Sequence, residues 1–243
     1  MMKQKRCSRF RKTNGRKIIL QEGLDDMRNY FDMQMKNLHQ ELKEMGGLCQ
    51  LTISKTYQLL NKGDRDVIKS IVAQEEQINQ KERDIESLCL KLLLRQQPVA
   101  SDLRKISAAL KMITDMERIG DQALDIAEIV EMGKILEVED TKLLGEMAEV
   151  TMDMVSRSVE AYVAQDLLRA QDVIDSDDKV DNLFMEIRRK LIDSIGEQKM
   201  DEEQILDYLM IAKYYERIGD HATNIAEWVE FSILGKHRSG KEA

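Results

Sequence analysis

Proline, cysteine and aromatic residues are all scarce in this chain of 243 residues, which has one proline, three cysteines and an aromatic content of 5%. Strands favour aromatic and β-branched residues, and turns consume proline and glycine, so this composition favours an all-α protein. The three cysteines are scattered and form no CxxC pair. Cys49 and Cys89 fall at apolar positions of helical segments, so we expect buried thiols in a reducing cytosol rather than metal ligands.

A long apolar run is also missing. No stretch approaches the ~18 apolar residues that are needed to cross a bilayer, and the first residues lack the uninterrupted apolar region of a signal peptide. We therefore expect a soluble, cytoplasmic protein with no transmembrane segment, which would associate with membrane complexes only peripherally.

Acidic residues are absent from one segment. Residues 1–17 hold eight Lys or Arg and no Asp or Glu, although the whole chain has a net charge of −8. The remainder has 29 basic and 45 acidic residues, a net charge of −16. This acidic body would repel phosphodiester backbones, so we expect no nucleic-acid partner for it. The basic N-terminal arm, residues 1–16, could contact nucleic acid, an anionic membrane surface or an acidic partner, or it could be a disordered tail without a function, so its role stays open.

What the chain does contain is an internal duplication. The pentapeptide Glu-Arg-Ile-Gly-Asp occurs at 117–121 and again at 216–220. Around it, residues 115–130 match residues 214–229 at 10 of 16 positions. One folding unit has therefore been used twice.

Apolar residues recur at three- and four-residue steps along the chain, as amphipathic helices require. Turn residues and helix caps divide this pattern into six segments. The predicted helices run from Glu22 to Asn61, from the Asp64 cap to Gln96, from a Ser101 or Asp102 cap to Met132, from the Asp140 cap to Ala164, from the Asp166 cap to Ile195, and from Asp201 to Leu234.

Short connections make sequential helices antiparallel. The predicted fold class is therefore all-α, with six long helices in two tandem antiparallel three-helix bundles that are related by the internal duplication. Residues 17–133 form the first repeat and residues 140–236 form the second, after the arm at 1–16. The duplicated motif lies on the third helix of each bundle.

Each copy of the motif places its polar residues along one side of a helix, within about 80° of one another and beside the apolar face. In the first copy these residues are Glu117, Asp121, Asp125 and Glu128. In the second copy they are Glu216, Asp220, Asn224 and Glu227. Because glycine inside a helix costs ~1 kcal/mol relative to alanine, Gly120 and Gly219 predict a close contact with a neighbouring helix.

The helix before each copy supplies oxygen donors at corresponding positions, aligned through Ile78 and Val180. Carboxylates that converge repel one another unless a cation neutralises them, whereas the competing interpretation is a solvated helix face. Oxygen donors suit hard ions such as Mg, Ca, Mn or iron, and zinc would usually bring His or Cys. His221 lies off this side of the helix and is left out. The candidate metal ligands are Glu75, Asn79, Glu117 and Asp121, which we call the first cluster, and Asp177, Asp181, Glu216 and Asp220, the second cluster.

At this point the residues resemble a known family. The paired Glu-Arg-Ile-Gly-Asp motifs, each followed by Ile-Ala-Glu, together with the segment 97–104, are similar to the PhoU family of phosphate-transport regulators over about residues 17–235. The resemblance implies a cytoplasmic regulator, often a homodimer, that acts with a phosphate ABC transporter and its sensor histidine kinase. It would restrain uptake and repress the phosphate-starvation regulon when phosphate is plentiful, without being an enzyme.

The resemblance also implies multinuclear metal clusters on the Glu/Asp-x-x-x-Asp segments. The first repeat departs from the family pattern, because Glu75 stands where Asp is usual and Asn79 where a second Asp is common. Since Asn lacks the charge, we expect the second repeat to bind metal more tightly. Asp125 replaces the usual Asn and partly restores charge in the first repeat. The basic arm is not a family feature.

Two other functions remain open from the sequence. Acids inside helical bundles also occur in ferritin-type di-iron enzymes, but those sites need Glu-x-x-His pairs, and no Glu in this chain has a His three residues on. An accessory regulator of a different ion transporter, such as a sodium–phosphate or potassium system, would share the fold and the motif. Sequence does not separate this regulator from the phosphate adaptor.

Overall fold

Six helices make up the described part of the molecule. In the computed structural model the described residues are 3–95, 99–133, 135, 141–197 and 200–236, with the backbone alone described at 3–27, 62, 65, 95 and 197. The helices are α1 (Lys3–Lys62), α2 (Arg65–Arg95), α3 (Ala100–Met132), α4 (Lys142–Ala164), α5 (Leu167–Glu197) and α6 (Glu202–Leu234). These ranges contain no strand, and the all-α prediction is confirmed.

Acidic side chains cap several helix starts where the sequence predicted them. The carboxylates of Asp64, Asp166 and Asp201 each accept a hydrogen bond from a backbone N–H two or three residues on, at 2.8–3.1 Å. These bonds satisfy donors that the first turn of a helix leaves free. At the other end of α6, Gly235 adopts a left-handed φ of 71°, a conformation that favours glycine.

The first and fifth helices are longer than predicted. α1 begins at Lys3 instead of Glu22, so the backbone is helical through the described part of the basic arm. Lys and Arg have high helix propensities, so a segment rich in them can form a helix although it has no apolar face. α5 continues to Glu197, past the predicted end at Ile195. Apart from the start of α3, the remaining helix ends agree with the prediction to within one residue.

Two predicted caps were not found. The N-cap of α3 is Val99 rather than Ser101 or Asp102. Asp102 lies in the first turn instead, where its carboxylate accepts a hydrogen bond from the Val99 N–H at 3.4 Å. The N-cap of α4 is Thr141, and the predicted cap Asp140 lies outside the described residues.

The two three-helix units pack against each other. The helices α1, α2 and α3 contact one another, as do α4, α5 and α6, and the units meet where α3 packs on α6 and α1 on α4. Buried apolar side chains of all six helices form one continuous hydrophobic core. The tandem bundles are therefore confirmed, and they share a core.

The seam between the units is formed by antiparallel helices. Asp115 of α3 contacts Asn224 of α6, and Asp125 of α3 contacts Tyr214 of α6. Asp115 precedes Asp125 along α3, whereas the residues that they contact occur in the reverse order along α6. Since α3 and α6 carry the two copies of the motif, the copies run in opposite directions through the middle of the molecule.

Two smaller predictions can be compared directly. Cys49 and Cys89 are buried free thiols, as expected from their apolar positions. Across the described ranges, no helix combines the length and the apolar character that spanning a membrane requires.

Candidate metal site

The motif glycines bring α2 close to α3 and α5 close to α6. A Cβ atom on Gly120 would lie 3.1 Å from Ile78 Cδ1, and one on Gly219 would lie 3.3 Å from Val180 Cγ1. Distances this short explain why both positions hold glycine. Ile78 and Val180 are also the residues that aligned α2 with α5, so the two units place equivalent side chains at equivalent contacts.

In the first cluster the predicted donors lie together along α2 and α3. Asn79 Nδ2 donates a short hydrogen bond to Glu75 Oε1, while Asn79 Oδ1 is buried with no partner among the described residues. Arg118 of α3 forms ion pairs with Glu117 at 3.4 Å and with Asp121 at 3.0 Å. This cluster therefore already has one protein cation, and it retains one unsatisfied oxygen.

A further acid, which the sequence analysis missed, belongs to the same surface. Burial raises the pKa of Glu117, and the nearby carboxylates of Asp121 and Glu82 raise it further. Burial raises the pKa of Glu82 as well. Glu82 follows Asn79 by three residues on the same side of α2, and this spacing could have revealed it. In the second unit Phe184 occupies the position equivalent to Glu82. The first cluster therefore has an additional acid one helical turn beyond Asn79, and the second cluster has none at that position.

In the second cluster three of the four predicted donors lack an ion pair. Lys213 pairs with Glu216, but none of the ion pairs between described residues involves Asp177, Asp181 or Asp220. Burial, followed by the nearby carboxylates of Asp220 and Asp181, raises the pKa of Asp177 to about 6. Partial burial and then Glu216 also raise the pKa of Asp220, while the nearby Lys213 lowers it. Negative charge is therefore less balanced by protein cations here than in the first cluster.

Both clusters are open on their outer side. Asp181 and Asp220 are exposed, and the other six predicted donors are half-buried. Within the described ranges, no three His, Cys, Asp or Glu side chains stand close enough together to hold a metal ion. The structure thus brings the predicted residues into two groups without closing a coordination shell.

The chemistry of these groups fits a hard cation. All the donors are oxygen atoms, which Mg, Ca, Mn and iron accept. The pKa of Asp177 is raised first by burial and then by repulsion from Asp220 and Asp181, and a bound cation would relieve that repulsion. In the first cluster, Asn79 Oδ1 is buried and accepts no hydrogen bond from the described residues, so this oxygen has no partner that a cation would have to displace.

Polar contacts across the α3–α6 seam use residues that lie beside the clusters. Asp115 Oδ1 contacts His221 Nδ1 at 2.9 Å and accepts a hydrogen bond from Asn224 Nδ2 at 3.2 Å. Tyr214 takes the equivalent position in the second copy and bonds to Asp125, whose pKa is raised mainly by burial. Asp125, which was expected to restore charge to the first cluster, therefore contacts the opposite unit. His221 serves the seam and lies outside both clusters.

The PhoU domain matches this chain twice, at residues 42–130 and 144–229. Similar proteins include the phosphate-specific transport system accessory protein PhoU homolog of Clostridium acetobutylicum, which is 34% identical over 211 residues, or 86% of this chain and 96% of that protein. The protein of the same description from a Burkholderia species is 32% identical over 84% of this chain and 89% of that protein.

Two crystal structures are similar as well. PhoU from Pseudomonas aeruginosa gives a TM-score of 0.78 at 30% identity, covering 85% of this chain and 100% of that chain. The phosphate transport system regulatory protein PhoU from Streptococcus pneumoniae gives a TM-score of 0.79 at 25% identity, covering 85% of this chain and 98% of that one. The two domain matches fall one on each three-helix unit, and the relatives are similar over most of their length, so this chain belongs to the PhoU family.

Proposed function

We propose that this protein is a regulatory accessory protein of a phosphate-specific transport system. Its relatives carry that description, and a similar crystal structure is described as a phosphate transport regulator. In this proposal the protein acts in the cytoplasm as a homodimer and catalyses no reaction. It is an adaptor between the ATPase subunit of a phosphate ABC transporter and a sensor histidine kinase, and it signals phosphate sufficiency.

A metal ion on the second cluster is the second part of the proposal. The observation that carries it is the group of three aspartates, Asp177, Asp181 and Asp220, which gather beside Gly219 without an ion pair among the described residues. Together with Glu216 they would hold a divalent or trivalent ion, which would neutralise their charge and join α5 to α6. Iron, Mn, Mg and Ca suit an oxygen-only set better than Zn does.

The first cluster would bind metal more weakly. Arg118 already occupies Glu117 and Asp121, and Asn79 contributes no charge. A cation there competes with Arg118 for two of the three carboxylates, whereas on the second cluster only Glu216 of the four carboxylates is paired with a described residue, Lys213. In both clusters the side chains must rotate toward the ion, because no three of them converge within the described residues.

Metal content tests the second part directly. The variant Asp177→Asn, Asp181→Asn, Glu216→Gln, Asp220→Asn should lose most of the metal that elemental analysis finds in the wild-type protein after equilibration with Mn²⁺. A matched control removes four exposed acids elsewhere, with Glu149→Gln, Asp172→Asn, Asp175→Asn and Asp193→Asn, and should keep its metal. Equal metal in the two variants would contradict the assignment.

The identity of the proteins that bind this chain in the cell tests the first part of the proposal. Cross-linking in cells grown in high phosphate, followed by purification of the tagged full-length protein, should recover a phosphate ABC transporter ATPase and a sensor histidine kinase. A culture starved of phosphate serves as the comparison, and recovery should decrease there. Recovery of a sodium–phosphate or potassium transporter instead would reassign the protein to a different ion transporter.

A further inference from the structure

The basic arm leaves the body at one identifiable end of the molecule. Arg28 of α1 pairs with Asp102 in the first turn of α3 at 2.9 Å. Gly235, which follows α6, lies beside the same part of α3. Tyr162 near the end of α4 donates a hydrogen bond to the Lys105 carbonyl oxygen at 2.7 Å. The start of α3 and the ends of α4 and α6 therefore lie at the same end of the molecule, next to Arg28 of α1. We call this end the arm end.

Only α1 continues past this level within the described ranges. Its backbone is helical from Lys3, so about 25 residues precede Arg28 and would extend about 37 Å at 1.5 Å per residue. The other five helices each begin or end at the arm end, since α2 stops before α3 begins and α5 starts after α4 stops. The basic segment thus projects from a defined face of the body.

Exposed apolar side chains lie at the same end of the molecule as the base of this projection. They come from the last turns of α2 and α6, from the start of α3 and from the start of α5, all at the arm end. Their exposed fractions range from 45% to 84%. The residues are Leu94, Val99, Leu103, Leu168 and Leu234. Single exposed leucines are ordinary on a protein surface, but a group beside a basic helix is typical of proteins that bind at a membrane interface.

We propose that the arm end binds the surface of an anionic lipid bilayer. The basic residues of the arm would lie against the lipid headgroups, and the exposed leucines and valine would enter the interface. Residues 1–17 provide eight cations and no acid, and an anionic leaflet attracts such clusters. The remainder of the chain, with its charge of −16, is repelled by the same surface, so the body would be held by one end.

The apolar residues favour a bilayer over a nucleic acid. A phosphodiester backbone attracts the same cations but offers no apolar layer for exposed leucines. Phe10 lies among the basic residues of the arm, and the apolar residues Ile18, Ile19 and Leu20 follow just after it. This interaction goes beyond the adaptor function, because it needs neither a protein partner nor a metal ion.

Vesicle flotation of the purified full-length protein tests the proposal. Binding should be strong to phosphatidylcholine vesicles that contain phosphatidylglycerol, weak to pure phosphatidylcholine, and reduced by high salt. Each neutralised cation should weaken binding roughly five-fold. The variant Arg9→Gln, Arg11→Gln, Lys12→Gln, Arg16→Gln should therefore bind roughly 600-fold more weakly.

The apolar contribution has a matched control at the opposite end. Leu94→Gln with Leu168→Gln should weaken binding several-fold, whereas Met132→Gln with Leu206→Gln, which change exposed residues where α3 ends and α6 begins, should leave it unchanged. Absence of binding to anionic vesicles, or equal loss in both pairs, would overturn the proposal. Tighter binding to duplex DNA than to these vesicles would assign the arm to nucleic acid instead. None of these outcomes bears on the transporter or on the metal.

Discussion

Burial and the neighbouring carboxylates raise the pKa of Asp177 from an ordinary value of 3.8 to about 6. A carboxyl group with a higher pKa in the folded than in the unfolded state favours folding only while it is protonated. Without metal, the stability of the protein should therefore decline as the pH rises from about 4 to about 6, and should stay at the lower level above that.

Asp177→Asn removes this titration. The variant should be more stable than the wild type at pH 7 by about 1 kcal/mol, a value reduced for solvent screening because the group is half-exposed. This corresponds to a rise of roughly 2–4 °C in Tm, measured by thermal denaturation with a chelator present. Asp175→Asn changes an exposed acid on the same helix and should have no such effect. A loss of stability in Asp177→Asn at pH 7 would contradict the account.

Asn79 is the residue that distinguishes the first cluster. Asn79→Asp should destabilise the metal-free protein by about 1–2 kcal/mol, because the hydrogen bond to Glu75 is lost and a negative charge joins Glu75 and Glu117. Added Mn²⁺ should restore the stability, and calorimetric titration should show tighter binding at this cluster. Gln77→Glu adds the same charge at an exposed position of α2 that makes no contact with an acid among the described residues, and it should show neither effect.

At the scale of the helices, we make opposite predictions for a glycine on the exposed side of α1 and one where α4 packs on α1. A Cβ on Gly47 would meet no atom within 4 Å, whereas one on Gly145 would lie 2.5 Å from the ring of Tyr57. Gly47→Ala should therefore raise the free energy of unfolding by about 0.5–1 kcal/mol through helix propensity. Gly145→Ala should lower it by about 1–3 kcal/mol through overpacking. Urea denaturation measures both, and a change of the same sign in both would mean that α1 and α4 pack differently.

The helices show how far sequence reasoning reaches. Caps at Asp64, Asp166 and Asp201 were predictable because their hydrogen bonds are local. The start of α1 was not, because a basic helix without an apolar face lacks the periodicity from which a helix is recognised. The cap at Val99 also gives no sequence signal, since its side chain accepts no hydrogen bond.

The candidate site was also only partly predictable from the sequence. The helical spacing predicted which donors share one side of a helix, and the glycines predicted a close contact with a neighbouring helix, which the structure places at Ile78 and Val180. Arg118 is close in sequence to the acids that it pairs with in the first cluster. Its long side chain has many rotamers, however, and the sequence does not indicate which one it adopts. The contact of Asp125 with Tyr214 depends on how α3 meets α6, which no pattern within a single helix contains.

At the scale of the whole molecule, the shared core predicts one cooperative unit. The core runs continuously through all six helices, and α3 packs on α6 between the two repeats. Opening either repeat would expose apolar side chains of the other, so the repeats should unfold together. Differential scanning calorimetry of the metal-free protein should show one transition, with equal calorimetric and van't Hoff enthalpies. Two separate transitions would mean that the seam contributes little.

The most direct measurement of the central claim is anomalous X-ray diffraction from crystals grown with Mn²⁺. The account predicts an anomalous peak between α5 and α6, within coordination distance of carboxylate oxygens from Asp177, Asp181, Glu216 and Asp220, and a weaker or absent peak between α2 and α3. Fully ordered carboxylates at the second cluster with no peak beside them would contradict it.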